Sequence, residues 1–199
     1  MISKVIPAVL LAVLVSASGC VQPNSFLSVS SSTAGASGQS SELSLSQGQE
    51  LDGRTKRSIR KFGSIIQKYS LKYELDWRLV LAVMRQESQF QPDARSHRGA
   101  YGLMQIMPVT EQEIAEQLGI PQAKSPYYNI KAGVYHLKRL YRFFDGIREP
   151  HRTKLTLAAY NAGLSRILDA RDLAEYLGHD PDTWEGVREA LPFLTKRYQ

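Results

Sequence analysis

From residue 56 onward, apolar side chains recur every three or four positions and nowhere alternate cleanly with polar ones, a pattern that predicts helices and no strands. Ile59, Phe62, Ile66 and Tyr69 mark the first helix. Asp76 to Pro92 reads as the second, because Asp76 can accept a backbone N–H at its start and Pro92 cannot continue the hydrogen-bond ladder at its end. Ile114, Ala115 and Leu118 mark a short helix closed by Gly119 and Pro121. Ile130, Val134, Leu137, Tyr141 and Phe144 define a longer one ending near Gly146. Leu155 to Ala162, Ile167 to Leu177, and Trp184, Val187 and Leu191 after the Asp180-Pro181 turn complete the set. No internal repeat is visible. The pattern predicts one all-α domain over residues 56–199, large enough for a single core.

One polar residue interrupts the apolar side of the second helix. At about 100° per residue, Trp77, Val80, Val83, Met84 and Glu87 share a stripe, with Arg78, Ala82, Arg85 and Gln89 opposite. A carboxylate among apolar side chains is paired, sits at a helix end near solvent, or stays protonated because desolvation disfavours its charged form. The last condition is what a general acid needs at neutral pH. Periodicity alone leaves this reading beside a plainer one, a rim glutamate on an ordinary core helix.

Ahead of the helical part the composition changes twice. Lys4, the apolar run Val5 to Val15 and the small residues Ser16-Ala17-Ser18-Gly19 follow the order of a secretory signal peptide over 1–19, too short for a convincing membrane span. Cys20, the only cysteine, follows directly and has no disulfide partner. Residues 20–55 are rich in Ser, Gly and Gln and bury too little apolar surface to order themselves. Such a tether spans roughly 30–35 Å on average and about 120 Å when extended. The chain carries 25 Lys and Arg against 19 Asp and Glu, a net charge of +6, with the two signs interspersed, so nucleic acid is not the expected partner. His97, His136, His151 and His179 lack metal-ligand spacing, and no glycine-rich loop precedes a Lys-Ser/Thr pair. Neither a metal nor a phosphate-bearing cofactor is expected.

Two resemblances add to this reading. Ala17-Ser18-Gly19-Cys20 resembles a bacterial lipobox, with Ala17 where Leu is usual. It implies that Cys20 is lipidated and becomes the mature N-terminus, on the periplasmic side of the envelope, and Val21 after it favours the outer membrane. Glu87-Ser88, then Gly99-Ala100-Tyr101-Gly102-Leu103-Met104-Gln105-Ile106-Met107-Pro108, then Ala158-Ala159-Tyr160-Asn161-Ala162-Gly163, together with Asn129-Ile130-Lys131-Ala132-Gly133, resemble the lysozyme-like domain of lytic transglycosylases over about Ile65 to Arg197. Leu168-Asp169-Ala170-Arg171, Trp184, Val187 and Leu191-Pro192 look closest to the catalytic module of the membrane-bound lytic transglycosylase F type. In that type an amino-acid-binding-like domain precedes the module; here the Ser-rich tether takes its place. The Gly-x-Glu and Tyr-Val segment that closes the family pattern does not follow before Gln199, so part of the groove wall is expected to be missing. Leu164 also stands where a small turn residue is common.

What the resemblance implies is a lysozyme-like helical domain with a groove, acting on peptidoglycan glycan strands between N-acetylmuramic acid and N-acetylglucosamine. Glu87 would be the catalytic acid and then base, with the muramic 6-hydroxyl as internal nucleophile giving a 1,6-anhydro end. Ser88 and Gln105 would bond sugar or acetamido groups, Met104 would pack on a pyranose face, Tyr160 would place its hydroxyl near Glu87 or the sugar, and Asn161 would hold backbone or substrate. Arg95 and Arg98 are read as solvated loop charges. No cofactor, a monomer and a lipid-held membrane attachment complete the expectation. Two other readings stay open: a muramidase-type hydrolase using Asp93 or Asp145 as second carboxylate, and a non-catalytic peptidoglycan-binding lipoprotein.

Overall fold

The computed structural model describes residues 51–195; the expected signal peptide, Cys20 and all but the end of the expected tether lie outside the described residues. These residues form seven helices: α1 Gly53–Lys72, α2 Trp77–Ser88, α3 Pro108–Leu118, α4 Pro126–Phe143, α5 His151–Ala162, α6 Leu164–Tyr176 and α7 Trp184–Thr195. Among the described residues, extended pairing is limited to isolated antiparallel bridges of Tyr101 with Arg95 and Ile106. The all-α expectation holds.

Helix α1 begins at Gly53, ahead of residue 56, because Asp52 caps it. The Asp52 carboxylate accepts the Arg54 and Thr55 N–H groups at 2.9 and 3.0 Å and the Thr55 hydroxyl at 2.7 Å. The Thr55 hydroxyl and N–H bonds hold that carboxyl down at about 2. Helix α2 is capped by Asp76, which accepts the Arg78 N–H at 2.8 Å, but it stops at Ser88, short of Pro92. Gln89 turns left-handed with φ 49°, its N–H still bonded to the Arg85 carbonyl, and Phe90 follows with φ 64°. This pair of left-handed residues drives Phe90 into the core, so Gln89 leaves the helix instead of lying opposite Glu87.

Helix α4 joins the two halves of the core. Ser125 caps it and Pro126 opens it, where a missing N–H costs nothing. Ile130, Val134 and Leu137 pack with Phe62 and Ile66 of α1 and with Val80, Val83 and Met84 of α2. Further along the same helix, Leu140 packs with Leu155 of α5, Ile167 of α6 and Val187 and Leu191 of α7, and Phe144 just past the helix end joins them. Each fully buried side chain of this size stabilises the fold by roughly 1.5–3 kcal/mol. Tyr69 of α1 and Tyr127 of α4 share a hydroxyl-to-hydroxyl hydrogen bond of 2.6 Å, which docks α1 along α4.

Candidate functional site

Between α2 and α3 the chain makes a tight loop whose backbone is held by side chains from three helices. Tyr101 and Ile106 exchange both backbone hydrogen bonds at 3.1 Å, closing residues 102–105 into a turn. Ser88, at the end of α2, places its hydroxyl 2.9 Å from the Leu103 carbonyl and 3.1 Å from its own helix carbonyl at Met84. Asn129, in the first turn of α4 and 1% exposed, accepts the Met104 N–H at 2.8 Å and donates to the Tyr101 carbonyl at 3.0 Å. Tyr160, from α5, donates its hydroxyl to the Met104 carbonyl at 2.7 Å. The turn therefore has its buried polar groups satisfied from outside its own backbone, as burial requires.

Two glycines permit this approach. A Cβ on Gly102, whose φ is +81°, would stand 2.5 Å from Asn129 Nδ2. A Cβ on Gly133, one helical turn after Asn129, would stand 2.5 Å from both Cβ and Cγ of Met104. Met104 is fully buried on that spot.

Beside the loop, a narrow cleft of about 30 Å³ runs between α2 and α5. Leu79, Ala82, Val83, Gln86 and Glu87 form one wall and Leu157, Tyr160 and Asn161 the other. The α2 residues have the i, i+3, i+4, i+7, i+8 spacing of a single helix face. Glu87 is half-buried there, the only carboxylate of the lining. A wider cavity of about 550 Å³ lies between the 95–101 segment and α3, lined by Tyr101, Glu111 and Lys124 among others. It holds neither Glu87 nor Tyr160, so the candidate site is the narrower cleft.

Burial first, and the nearby Glu87 charge second, push the Tyr160 hydroxyl well above its usual value of 10. Tyr160 thus stays protonated, and its one proton is committed to Met104; toward the cleft it offers lone pairs alone. Tyr160→Phe is expected to leave that carbonyl unpaired and to lower unfolding stability by about 1–3 kcal/mol in denaturant titration; unchanged stability would show that the bond carries nothing.

Behind Tyr160, with ring centroids 5.3 Å apart, lies His136 of α4. Burial, helped by the Arg139 charge, holds its imidazole down at about 4 against an ordinary 6.5, and its Nδ1 is enclosed without a partner. An unfolded chain takes up a proton near pH 6.5 that the folded chain refuses until about pH 4. This contribution is therefore complete above pH 6.5 and is lost as pH falls to 4, amounting to about 3 kcal/mol. His136→Leu should flatten the stability profile between pH 6.5 and 4. An equally steep fall in the variant would assign the acid sensitivity elsewhere.

Of the site residues read from sequence, the structure brings Glu87, Tyr160 and Asn161 together at one cleft. Ser88 and Met104 are buried and Gln105 is half-buried, and none of the three lines it. The Ser88 hydroxyl is committed to carbonyls, and the Met104 side chain is 0% exposed, so it packs on Gly133 and cannot meet a pyranose face. Gln105, itself left-handed with φ 46°, donates its side-chain amide to the Ala94 and Gly102 carbonyls at 3.0 and 2.9 Å. These three position the loop. Sequence reasoning placed Ala82 opposite Glu87, whereas it lines the cleft beside it. It also gave Asn129 no role, although Asn129 stood in a recognised motif.

The Transglycosylase SLT domain family model matches residues 64–180. Over 141 residues the chain is 40% identical to a membrane-bound lytic murein transglycosylase F from Desulfosudis oleivorans, covering 70% of this chain and 30% of that protein. A second membrane-bound lytic murein transglycosylase F, from Pasteurella multocida, is 43% identical over 142 residues, covering 70% of this chain and 28% of that protein. The chain thus spans less than a third of the length of these relatives. An inactive glutamate-to-glutamine mutant of the lytic transglycosylase Slt from Pseudomonas aeruginosa superposes with a TM-score of 0.53 at 32% identity, over 65% of this chain and 20% of that one. The 70 kDa soluble lytic transglycosylase from Escherichia coli gives a TM-score of 0.53 at 29% identity, over 68% of this chain and 22% of that one. The expected lysozyme-like helical fold is the one the chain has, and the chain belongs to the transglycosylase SLT domain family.

Proposed function

We propose that the chain is a lytic transglycosylase of the peptidoglycan wall, cutting between N-acetylmuramic acid and N-acetylglucosamine. The observation that carries this reading is the single carboxylate of the α2–α5 cleft, Glu87, flanked by Tyr160 and Asn161. Glu87 gives its proton to the glycosidic oxygen as the bond to the anomeric carbon breaks. The 6-hydroxyl oxygen of the same muramyl residue then bonds to that carbon, and its proton returns to Glu87, leaving a 1,6-anhydro end. An attached nucleophile acts at an effective concentration on the order of 10⁵ M, against about 55 M for bulk water, so no second carboxylate is needed to place a water. Asn161, exposed on the cleft rim, is proposed to hold the sugar; Ser88, Met104 and Gln105 position the neighbouring loop. The inactive glutamate-to-glutamine mutant of the Pseudomonas aeruginosa relative supports a dependence on one glutamate.

A hydrolase is disfavoured by where its second carboxylates lie. Asp93 is exposed and accepts the Tyr101 hydroxyl at 3.4 Å, Asp145 pairs with Arg152 at 3.1 Å, and neither lines the cleft. Incubation of purified sacculi with the full chain tests the reading: soluble glycan fragments are expected, whereas sacculi that retain bound protein and stay insoluble would make this a wall-binding lipoprotein.

The attachment is proposed to be an acylated Cys20 on the periplasmic side, at the outer membrane, with the domain working as a monomer. Envelope association is supported by the two relatives being membrane-bound enzymes by name. Mass spectrometry of the N-terminal peptide from membrane-extracted protein should find acylated Cys20. An unmodified Cys20 would remove the anchor from the account.

A further inference from the structure

The positive charge of this chain is concentrated on one helix. Helix α1 carries Arg54, Lys56, Arg57, Arg60, Lys61, Lys68 and Lys72 and not one acidic residue, although the chain as a whole holds 19. All seven are exposed. At 100° per residue, Arg54, Arg57, Lys61, Lys68 and Lys72 fall within about 60° of arc, a straight row running about 27 Å along the helix. The buried residues Thr55, Ser58, Phe62, Ile66 and Tyr69 occupy the neighbouring arc, centred about 110° away, against the core. Among the described residues the ion pairs engage Arg78, Arg85, Lys138, Arg139, Arg152, Lys154, Arg171 and two histidines, and none involves a cation of the row. Interspersed signs describe the chain on average and miss this helix.

Two further features sit on the same face. A hollow of about 350 Å³ is lined by Arg54, Arg57 and Lys61 together with Gln89, Phe90 and Pro92, three cations and no anion. Leu71, 81% exposed, lies angularly between Arg57 and Arg60, an apolar side chain with no core to enter. A cluster of cations on one exposed helix face is what an anionic lipid surface attracts, and Leu71 adds one apolar side chain beside it. None of the α1 residues lines the Glu87 cleft, so this face is not a wall of the glycan site.

We infer that the basic face of α1 docks on an anionic phospholipid surface, its cations on the phosphate headgroups and Leu71 at the acyl boundary, independently of any lipid on Cys20.

The test uses the full chain carrying Cys20→Ala, sedimented with vesicles of phosphatidylcholine alone or mixed with phosphatidylglycerol, so that the apolar N-terminal stretch contributes equally throughout. Anionic vesicles should capture the protein on the order of tenfold more strongly, and high salt should abolish the difference. Combined Arg57→Gln, Lys61→Gln, Lys68→Gln and Lys72→Gln substitutions should remove it, with unchanged far-UV circular dichroism and unchanged release of fragments from sacculi. Arg142→Gln with Arg188→Gln, exposed cations on α4 and α7, should leave it intact. Equal capture of the fourfold variant and its parent overturns the proposal. So does half that loss in the α4/α7 control, which removes two cations against four and would assign the effect to net charge. A loss confined to binding of sacculi would make the partner a wall polymer instead.

Discussion

Glu87→Gln is expected to lower the release of soluble fragments from purified wall by about 10²–10⁴-fold, the range that a positioned general acid contributes. In barrier terms this is about 3–5 kcal/mol. The amide has nearly the shape of the carboxyl but no proton acidic enough to give, so the α2–α5 cleft should persist while the departing oxygen goes unprotonated. Glu87 is half-buried at a cleft wall and not in a core cluster, so unfolding stability should change little. Turnover and stability measured on the same preparation separate the two effects. A variant that unfolds readily would mean that Glu87 has a structural role; one that keeps turnover would remove it from the chemistry.

Gly133→Ala should destabilise the domain and disturb the cleft together. The new methyl would meet Met104 at Cβ and Cγ, 2.5 Å away, and Met104 cannot yield freely because Asn129 holds its N–H and Tyr160 its carbonyl. Overpacking of this kind costs about 1–3 kcal/mol. For a domain of this size that lowers the melting temperature by about 3–12 °C. Activity should fall too, since pushing residue 104 shifts the carbonyl on which the Tyr160 hydroxyl rests. A melting temperature and turnover both equal to those of the parent would contradict the clamp.

Helix existence and the meeting of Glu87 with Tyr160 were legible in the chain; helix starts, the place of Asn161 beside Glu87 and the roles around the loop were not. Helices α4, α5 and α6 begin at Pro126, His151 and Leu164, several residues before the apolar stripes at Ile130, Leu155 and Ile167. Their first turns are only partly buried, with Tyr127 bonded to Tyr69, Asn129 turned to the loop and Leu164 at the edge of the core, so the apolar stripe starts after the helix does. At α4 the start is set by the Ser125 cap and Pro126, which the apolar stripe does not contain. The end of α2 was misplaced because Gln89 and Phe90 adopt left-handed backbone that their residue types do not announce; burial of Phe90 fixes it. Ser88, Met104 and Gln105 were read as facing sugar since their motif surrounds the site. The Ser88 hydroxyl, the Met104 backbone and the Gln105 amide nitrogen bond within or onto a tight turn, a role set by tertiary distances that spacing cannot encode. Asn129 was overlooked for the same reason.

The central claim is that one carboxyl in the α2–α5 cleft cleaves glycan through an internal hydroxyl. Mass spectrometry of fragments released from purified sacculi tests it most directly. The account predicts muramyl ends lighter by one water than a hydrolytic product, with no reducing muramic acid formed, and none of either with Glu87→Gln. Fragments ending in ordinary reducing muramic acid would contradict it, because an attacking water would then have been placed by a group this cleft does not contain.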